Sequence, residues 1–370
     1  MKIDSIILHH LSMPLVAPFE TSFGVTRQRE CVLVEIHSES LIGWGECAVD
    51  REPGYSYETT GTAWHILKEF IAPMLLGQYI EGVEDYQRRV NDIRGHNLAK
   101  AGVEMALWDI LGKRQGKCLR DLLGGSRPRV QVGVSVGLQA SPAALVEKVQ
   151  EYLAQGYGRV KIKIKPGRDV GDAEAVRKAF PHLPLQVDAN SAYTLATCQV
   201  LRPLDMLKLL LIEQPLNEDD LWNHRKLQKQ FHTPICLDES ITGLLQARSA
   251  LEMEACRIIN IKPGRVGGLS QAVLIHDLCR AQDIPVWCGG MLETGIGRAS
   301  NLALASLPGF SLPGDISASN RYYKEDITKE RFTLDPGSTI DVPGGNGLGV
   351  TIDAPALKKF SLAELKLKAK

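Results

Sequence analysis

The sequence lacks the features that are typical of proteins that cross membranes, bind nucleic acids or bind nucleotides. Lys plus Arg equals Asp plus Glu at 43 each, so no net charge attracts nucleic acid or an anionic membrane. No run approaches the ~20 apolar residues of a membrane span, and Asp4 lies where a signal peptide would begin its apolar stretch. No Gly-x-Gly-x-x-Gly or Walker-type loop supports a nucleotide cofactor. We therefore expect a cytoplasmic protein that binds neither nucleic acid nor membranes.

Nucleophile and zinc patterns are also missing. The eight cysteines include no Cys-x-x-Cys pair, which indicates reduced, buried thiols, and the apolar run before Cys288 makes it structural as well. Gly133-Val134-Ser135-Val136-Gly137 matches the Gly-x-Ser-x-Gly nucleophile elbow, but that motif needs a helix to begin at the serine. The next helix signal is Ser141-Pro142, six residues later. We read Ser135 as the end of a strand and expect no serine hydrolase.

What the sequence does contain is a weak internal repeat. Short apolar runs end in a charged residue at steps of 25, 25, 25 and 24 residues. The intervals hold helical patterns, such as the one after the N-cap and proline of Ser141-Pro142. Strand and helix alternating at this spacing predict a (β/α) barrel or a doubly wound sheet. The charged ends are Lys163, Asp188, Glu213, Asp238 and Lys262.

The position of these charges favours the barrel. Each one lies at the C-terminal end of its strand, where barrel active sites assemble. Five charged ends would spread along the edge of an open sheet, whereas a closed barrel brings them to one point. Residues 1–125 differ, with short strand patterns before helical ones, and predict an α+β capping domain. We expect the barrel over residues 126–319 and a tail of about 320–370 that completes the capping domain.

Three of the strand ends are carboxylates. Asp188, Glu213 and Asp238 would raise one another's pKa unless a cation lies among them. Oxygen-only ligands favour Mg²⁺, with Mn²⁺ as a possible substitute. The alternative is a network of salt bridges to the neighbouring lysines. The regular register of the strand ends favours the metal site.

The lysines predict acid and base chemistry. Lys161 and Lys163 share one face of their strand, and Lys262 lies four strands further along, across the barrel. Neighbouring positive charge and burial would lower the pKa of such lysines toward neutrality, and Arg265 would act in the same direction on Lys262. A carbon acid held between Lys163 and Lys262 would be open to proton transfer on either face.

The motifs around these residues resemble one known family. They are Lys161-Ile162-Lys163, Val187-Asp188-Ala189-Asn190, Ile212-Glu213-Gln214-Pro215, Leu237-Asp238-Glu239-Ser240, the stretch from Asn260 to Gly268, the stretch from Pro285 to Gly295, Leu312-Pro313-Gly314-Asp315 and the stretch from Pro18 to Gly24. In this order and spacing they resemble the o-succinylbenzoate synthase / N-succinylamino acid racemase family of the enolase superfamily, in the muconate-lactonizing subgroup. The resemblance covers essentially the whole chain and implies a (β/α)7β barrel with a capping domain of enolase N-terminal type.

The resemblance also implies roles for individual residues. Metal ligation falls to Asp188, Glu213 and Asp238, catalysis to Lys163 and Lys262, and support to Lys161. Asn190 and Glu239 are expected close to the metal ligands. Arg265 is also expected around the ligands without binding the metal itself. Residues expected against the substrate are Ser135, Asn190, Gly290, Met291, Leu292 and, from capping-domain lids, Phe19, Phe23 and Tyr55.

Three functional hypotheses follow. The first is an o-succinylbenzoate synthase of menaquinone biosynthesis, which dehydrates 2-succinyl-6-hydroxy-2,4-cyclohexadiene-1-carboxylate through an enediolate. The second is an N-succinylamino acid racemase that uses the same groups, alone or beside the first activity. The third is a catalytically silent binding protein on the same fold. The expected partner is a small carboxylate with a succinyl group, and we also expect a homo-oligomer.

Overall fold

The computed structural model describes residues 1–369. Its N-terminal part is built on an antiparallel sheet in which both ends of the chain take part. Strands β1 (Ser5–Thr21), β2 (Gly24–Ser38) and β3 (Leu41–Cys47) follow one another, and the C-terminal strand Ser361–Lys368 pairs with the outer edge of β1. The sheet order is therefore C-terminal strand, β1, β2, β3. The boundaries that we placed at residues 125 and 319 stay predictions.

The first two strands form one long hairpin. The strand-like runs of the sequence, Ile3–Ile7 and Cys31–Ile36, predict only part of each strand. In the structure the pairing continues as far as Thr21 opposite Gly24, with an irregularity between Pro14 and Phe19. The hairpin tip at Ser22 and Phe23 thus reaches well beyond the sheet.

Helices of the N-terminal part cover one face of this sheet. Thr59 caps the first one, since its side chain accepts a hydrogen bond from the Thr62 N–H and the Thr62 side chain bonds back to Thr59. A π-helical turn, Leu67–Ile71, continues it. The helices are α1 (Thr60–Ile66), α2 (Ala72–Leu75), α3 (Val83–Val90), α4 (Asn97–Gln115) and α5 (Leu119–Leu123).

The rest of the chain forms a curled parallel sheet surrounded by helices. A small antiparallel pair, β4 (Arg129–Gln131) with β12 (Thr339–Asp341), closes its bottom, and seven parallel strands follow in chain order. Their side chains are buried throughout, as in barrel strands covered on both faces. The parallel strands are β5 (Val134–Val136), β6 (Val160–Lys163), β7 (Leu185–Asp188), β8 (Ile212–Glu213), β9 (Ile235–Leu237), β10 (Ile258–Ile261) and β11 (Val286–Cys288).

Helices fill the intervals between these strands, as the repeat predicted. The interval after Asp188 holds a 3-10 helix, Thr197–Leu207, in place of an α-helix, and Pro203 lies inside it. Another short 3-10 helix is Ser319–Arg321, and the C-terminal strand is β13 (Ser361–Lys368). The α-helices are α6 (Pro142–Ala154), α7 (Val170–Ala179), α8 (Leu221–Gln230), α9 (Leu244–Glu252), α10 (Pro263–Val266), α11 (Leu269–Arg280), α12 (Gly295–Ala305) and α13 (Ala354–Phe360).

One irregular segment joins the two edges of the parallel sheet. The N–H of Asp315 donates to the carbonyl of Cys288 on β11 at 2.9 Å, and the N–H of Gly133 donates to the carbonyl of Gly314 at 2.7 Å. The sheet is closed into a barrel in this way, and the C-terminal ends of its strands meet at one mouth. No helix among residues 1–369 is long and apolar enough to cross a membrane.

Candidate active site

The charged residues at the strand ends all lie at this mouth. Asp188 and Glu213 are register partners on adjacent strands, and Asp238 follows the next strand directly. All three carboxylates are at most 1% exposed. Lys161, Lys163 and Lys262 are buried as well. The structure therefore brings together the six residues that the sequence singled out, while their roles stay predictions.

On one side of the mouth, two lysines bind the carboxylates of β7 and β8. The Lys161 Nζ lies 3.1 Å from Asp188 and 2.9 Å from Glu213. The Lys163 Nζ donates to the Asp188 carboxylate at 2.6 Å and to the Asn190 side-chain oxygen at 2.6 Å. Asp188 is thus shared by both lysines, whose side chains point to the same face of β6.

On the other side, Asp238 collects three donors. The Lys262 Nζ lies 2.7 Å from one of its oxygens, and the Tyr55 hydroxyl donates to the other at 2.9 Å. Arg265 forms an ion pair with that second oxygen. Lys262 also lies over the Tyr55 ring, 4.4 Å from its centroid. A residue from the N-terminal part therefore completes the group around Lys262.

These contacts correct the expected protonation of two lysines. Burial does lower the pKa of Lys161, but the carboxylates of Asp315, Glu213 and Asp188 outweigh it and hold the pKa well above its usual range. Burial likewise lowers the pKa of Lys262, but Tyr55, Glu239, Glu213 and Asp188 outweigh this effect, so the pKa again lies above its usual range. The prediction of lowered pKa values was wrong for both, because it counted the neighbouring cations and left out the anions.

The donor set fits a hard divalent cation. Burial and the charge of Asp188 raise the pKa of Glu213 to about 7, whereas the two lysines on β6 hold the pKa of Asp188 far below its usual range despite burial. Among residues 1–369, no three acidic, histidine or cysteine side chains approach closely enough to share an ion in this arrangement. Oxygen atoms of Glu239 and Asn260 are nevertheless buried beside the cluster without a hydrogen-bond partner. Three carboxylates with spare oxygen acceptors match the chemistry of Mg²⁺ or Mn²⁺.

A cavity opens above the lysines and is lined by every substrate contact that the sequence analysis named. Lys161, Lys163 and Lys262 form its floor, and Asp315 and Tyr322 add to its walls. The predicted contacts in its wall are Ser135, Asn190, Gly290, Met291, Leu292, Phe19, Phe23 and Tyr55. Glu239 and Arg265 line a second cavity, which Tyr55 separates from the first.

The hairpin tip forms part of the wall of this cavity. The Ser22 hydroxyl donates to the backbone carbonyl of Asn190 at 3.2 Å, and Glu20 pairs with Lys165 at 3.1 Å. Phe23 packs against Gly54, whose missing Cβ would lie 2.6 Å from the ring. The predicted lid loop is therefore the end of a β-hairpin that is pinned to the barrel by polar contacts.

Three further residues around the lysines were not predicted. Asp315 binds Lys161 at 2.6 Å and Arg159 at 2.6 Å, and the ring of Trp287 lies 4.9 Å from the Lys161 Nζ. Asn260 donates to Glu213 at 2.8 Å and so orients that carboxylate. Asp315 lies in a motif that we used for recognition only. Asn260 is two residues before Lys262 and shares its strand face, which was an available signal.

Left-handed backbone conformations also occur just after several barrel strands. Asn190, Gln214 and Leu292 have left-handed backbone conformations, with φ values of 42°, 36° and 58°. Such conformations are uncommon for residues other than glycine and cluster where side chains must be aimed at a site. Here each of them follows a barrel strand, and Asn190 and Leu292 line the cavity.

Comparison with known proteins agrees with this geometry. Residues 2–124 match the mandelate racemase / muconate lactonizing enzyme N-terminal domain, and residues 144–356 match the enolase C-terminal domain-like family. An o-succinylbenzoate synthase from Geobacillus stearothermophilus is 47% identical over 98% of this chain and 96% of its own. An N-succinylamino acid racemase from Amycolatopsis sp. is 47% identical over 99% of each chain.

A solved structure shows the same fold over the full length. It is a protein from Listeria innocua described as a member of the enolase superfamily, 42% identical, with a TM-score of 0.96 and complete coverage of both chains. The motifs, the barrel with its capping sheet and the whole-length relatives agree. The chain therefore belongs to the o-succinylbenzoate synthase / N-succinylamino acid racemase family of the enolase superfamily.

Proposed function

We propose that this protein is a divalent-metal-dependent o-succinylbenzoate synthase of menaquinone biosynthesis. Its substrate would be 2-succinyl-6-hydroxy-2,4-cyclohexadiene-1-carboxylate, which loses water to become aromatic. The observation that carries the proposal is the mouth of the barrel, where Lys163 and Lys262 line one cavity beside three buried carboxylates. Relatives named for this activity share 43 to 47% of their residues with the chain.

Lys163 is the general base of the proposed reaction. Its Nζ would take the proton on the carbon next to the substrate carboxylate and then return a proton to the departing hydroxide. Asp188 and Asn190 hold this nitrogen in place through their two hydrogen bonds. Lys262, across the cavity, would stabilise the enediolate through its positive charge, which Asp238 and Glu239 maintain.

Asp188, Glu213 and Asp238 would hold the metal ion. A divalent cation bound there would supply positive charge that stabilises the enediolate. Asn260 and Asn190 support the ligands, because Asn260 donates to Glu213 and the Asn190 N–H donates to Asp188 at 3.0 Å. Exclusion of water falls to the lid, with Phe19 and Phe23 in the cavity wall.

Racemisation of N-succinylamino acids is the second candidate activity. Dehydration needs one base, whereas racemisation needs an acid and a base on opposite faces of the same carbon. Lys163 on β6 and Lys262 after β10 are separated by the intervening strands and meet the same cavity, which suits both reactions. One protein could therefore carry out both. We also propose that the protein forms a homo-oligomer and is cytoplasmic.

The test is turnover of the cyclohexadiene substrate, followed as loss of its diene absorbance with Mg²⁺ and with EDTA. We expect rapid turnover that EDTA abolishes and added Mg²⁺ or Mn²⁺ restores. Slow or absent turnover, together with Mg²⁺-dependent exchange of the α-proton of N-succinyl-L-phenylalanine in D₂O, would replace the synthase by the racemase. Absence of both reactions and of any thermal stabilisation by Mg²⁺ would favour the silent binding protein.

A further inference from the structure

We propose that Arg321, acting through Ser135, selects substrates that carry a second carboxylate at the end of the succinyl chain. This inference rests on the proposed function and adds a specificity-determining residue to it. Arg321 ends a short 3-10 helix after the barrel and lies outside every motif discussed above. Its guanidinium lies directly behind the cavity wall, at the corner formed by Ser135, Phe19 and Tyr322.

The charge of Arg321 has no anionic partner. Five arginines are buried, and the other four each form an ion pair with a carboxylate. Among the buried arginines of residues 1–369, only Arg321 lacks a carboxylate partner. Its Nε also has no hydrogen-bond partner. The four pairs are Arg29 with Asp50, Arg159 with Asp315, Arg265 with Asp238, and Arg298 with Asp326.

Aromatic rings surround the guanidinium in place of an acid. Its central carbon lies 4.8 Å from the Tyr322 ring, 4.9 Å from Tyr152 and 5.7 Å from Phe19. Such cation–π contacts are attractive, but the rings carry no negative charge and do not replace the anion that usually accompanies a buried guanidinium. The rings therefore hold the guanidinium in place and leave most of its charge uncompensated.

Ser135 connects this charge to the cavity. Its backbone carbonyl accepts a hydrogen bond from Arg321 at 2.9 Å, and its side chain lines the cavity. The Ser135 hydroxyl is buried and has no hydrogen-bond partner in the protein. A free hydroxyl donor in front of an unpaired guanidinium is suited to a carboxylate.

The strand register places Ser135 on the strand next to the one that carries the lysines. Ser135 on β5 is the register partner of Lys161 on β6, and Asp188 lies on the following strand. The acidic residues that line the cavity are themselves matched, because Asp315 binds two cations and Asp50 pairs with Arg29. One carboxylate of the ligand would lie by the catalytic lysines, and the distal one at Ser135.

The experiment compares two product-like ligands that differ only at the distal end. Binding of o-succinylbenzoate and of 2-butanoylbenzoate is measured by calorimetry with the Mg²⁺-loaded protein, for wild type, Arg321→Met, Arg321→Lys and Ser135→Ala. Arg177→Met is the control, because Arg177 on α7 is a half-buried arginine that bonds only to backbone carbonyls. Thermal unfolding establishes that each variant is folded.

We expect wild type to prefer the succinyl ligand about 10- to 100-fold, the range for a hydrogen bond to a charged group. Arg321→Met should remove most of this preference and leave the butanoyl affinity nearly unchanged. Arg321→Lys should retain part of it, Ser135→Ala should reduce it, and the control should keep it. If Arg321→Met keeps the wild-type preference, or loses affinity equally for both ligands, the inference about Arg321 is overturned and the proposed function is not. A wild-type protein that binds neither ligand overturns the proposed function with it.

Discussion

The buried His224 makes the stability of the protein depend on pH. The imidazole is fully buried, its Nε2 accepts a hydrogen bond from the Leu216 N–H at 3.3 Å, and its Nδ1 lies 2.8 Å from the Asp220 carbonyl. These partners require the neutral ring with its proton on Nδ1. Burial lowers the pKa of His224 to about 4. The native protein therefore keeps a neutral histidine at a pH where the unfolded chain has a charged one.

This histidine predicts a loss of stability in mild acid. An unfolded histidine binds its proton near pH 6.5, so the contribution of the neutral ring is complete above that pH and is lost as the pH falls toward 4. The difference amounts to about 3 kcal/mol. His224→Gln should flatten this part of the pH dependence when urea unfolding is compared at pH 7.5 and pH 5.

The control for that comparison is the exposed His232. His232→Gln should leave the difference between pH 7.5 and pH 5 as it is in wild type. Equal flattening in both variants would show that the acid sensitivity arises elsewhere in the molecule.

At the scale of elements, α4 and β3 pack backbone to backbone. A Cβ on Gly45 would overlap the Gly102 carbonyl and lie 2.8 Å from the Ala106 nitrogen, and a Cβ on Gly102 would lie 2.9 Å from the Cys47 nitrogen. Both partners are backbone atoms in regular elements, so neither can move aside. This close approach places the helix against the sheet whose hairpin lines the cavity.

Gly45→Ala should therefore lower the free energy of unfolding by at least the 1–3 kcal/mol typical of overpacking, although alanine is otherwise a conservative change. The measurement is urea unfolding at neutral pH. Gly171→Ala in α7 is the matched control, because a Cβ there meets nothing within 4 Å. It should be neutral or stabilising by up to about 1 kcal/mol. A Gly45→Ala protein as stable as the control would contradict the close packing.

Elements with a strong local signal were predictable from the sequence. The 25-residue repeat located the strand ends of the barrel, and Ser141-Pro142 located the start of α6. The length of the β1–β2 hairpin was not predictable, because Pro14 and Pro18 interrupt the outer half of β1 and the outer half of β2 is mostly polar, so that pairing between the strands holds it. The segment that closes the barrel at Gly314 and Asp315 has no periodic pattern, and only its hydrogen bonds to both sheet edges reveal it.

The site divides in the same way. Its charged residues follow from strand register, and its predicted substrate contacts came from the family resemblance. Asp315 and Arg321 could not be predicted, because each acts through a partner more than 150 residues away, Lys161 for one and Ser135 for the other. The protonation of Lys161 and Lys262 was predicted wrongly for a related reason, since the nearby anions come from several separate segments.

At the scale of the whole molecule, the cavity is complete only where the two parts of the chain meet. The barrel supplies the lysines and carboxylates, while Phe19, Phe23 and Tyr55 come from the N-terminal part. Tyr55, in the loop between β3 and α1, contacts both Asp238 and Lys262, so the N-terminal part of the chain touches the proposed catalytic group directly. The hairpin tip and the loop that carries Tyr55 therefore both border the cavity.

The central claim, that Lys163 and Lys262 carry out the chemistry, is tested most directly by turnover of the cyclohexadiene substrate in single-lysine variants. Lys163→Ala should lose about 10²- to 10⁴-fold in kcat, the usual contribution of a positioned acid or base, and Lys262→Ala should also fall strongly. Lys178→Ala, an exposed lysine on α7, should match wild type. A folded, Mg²⁺-loaded Lys163→Ala protein that retains wild-type turnover would contradict the account.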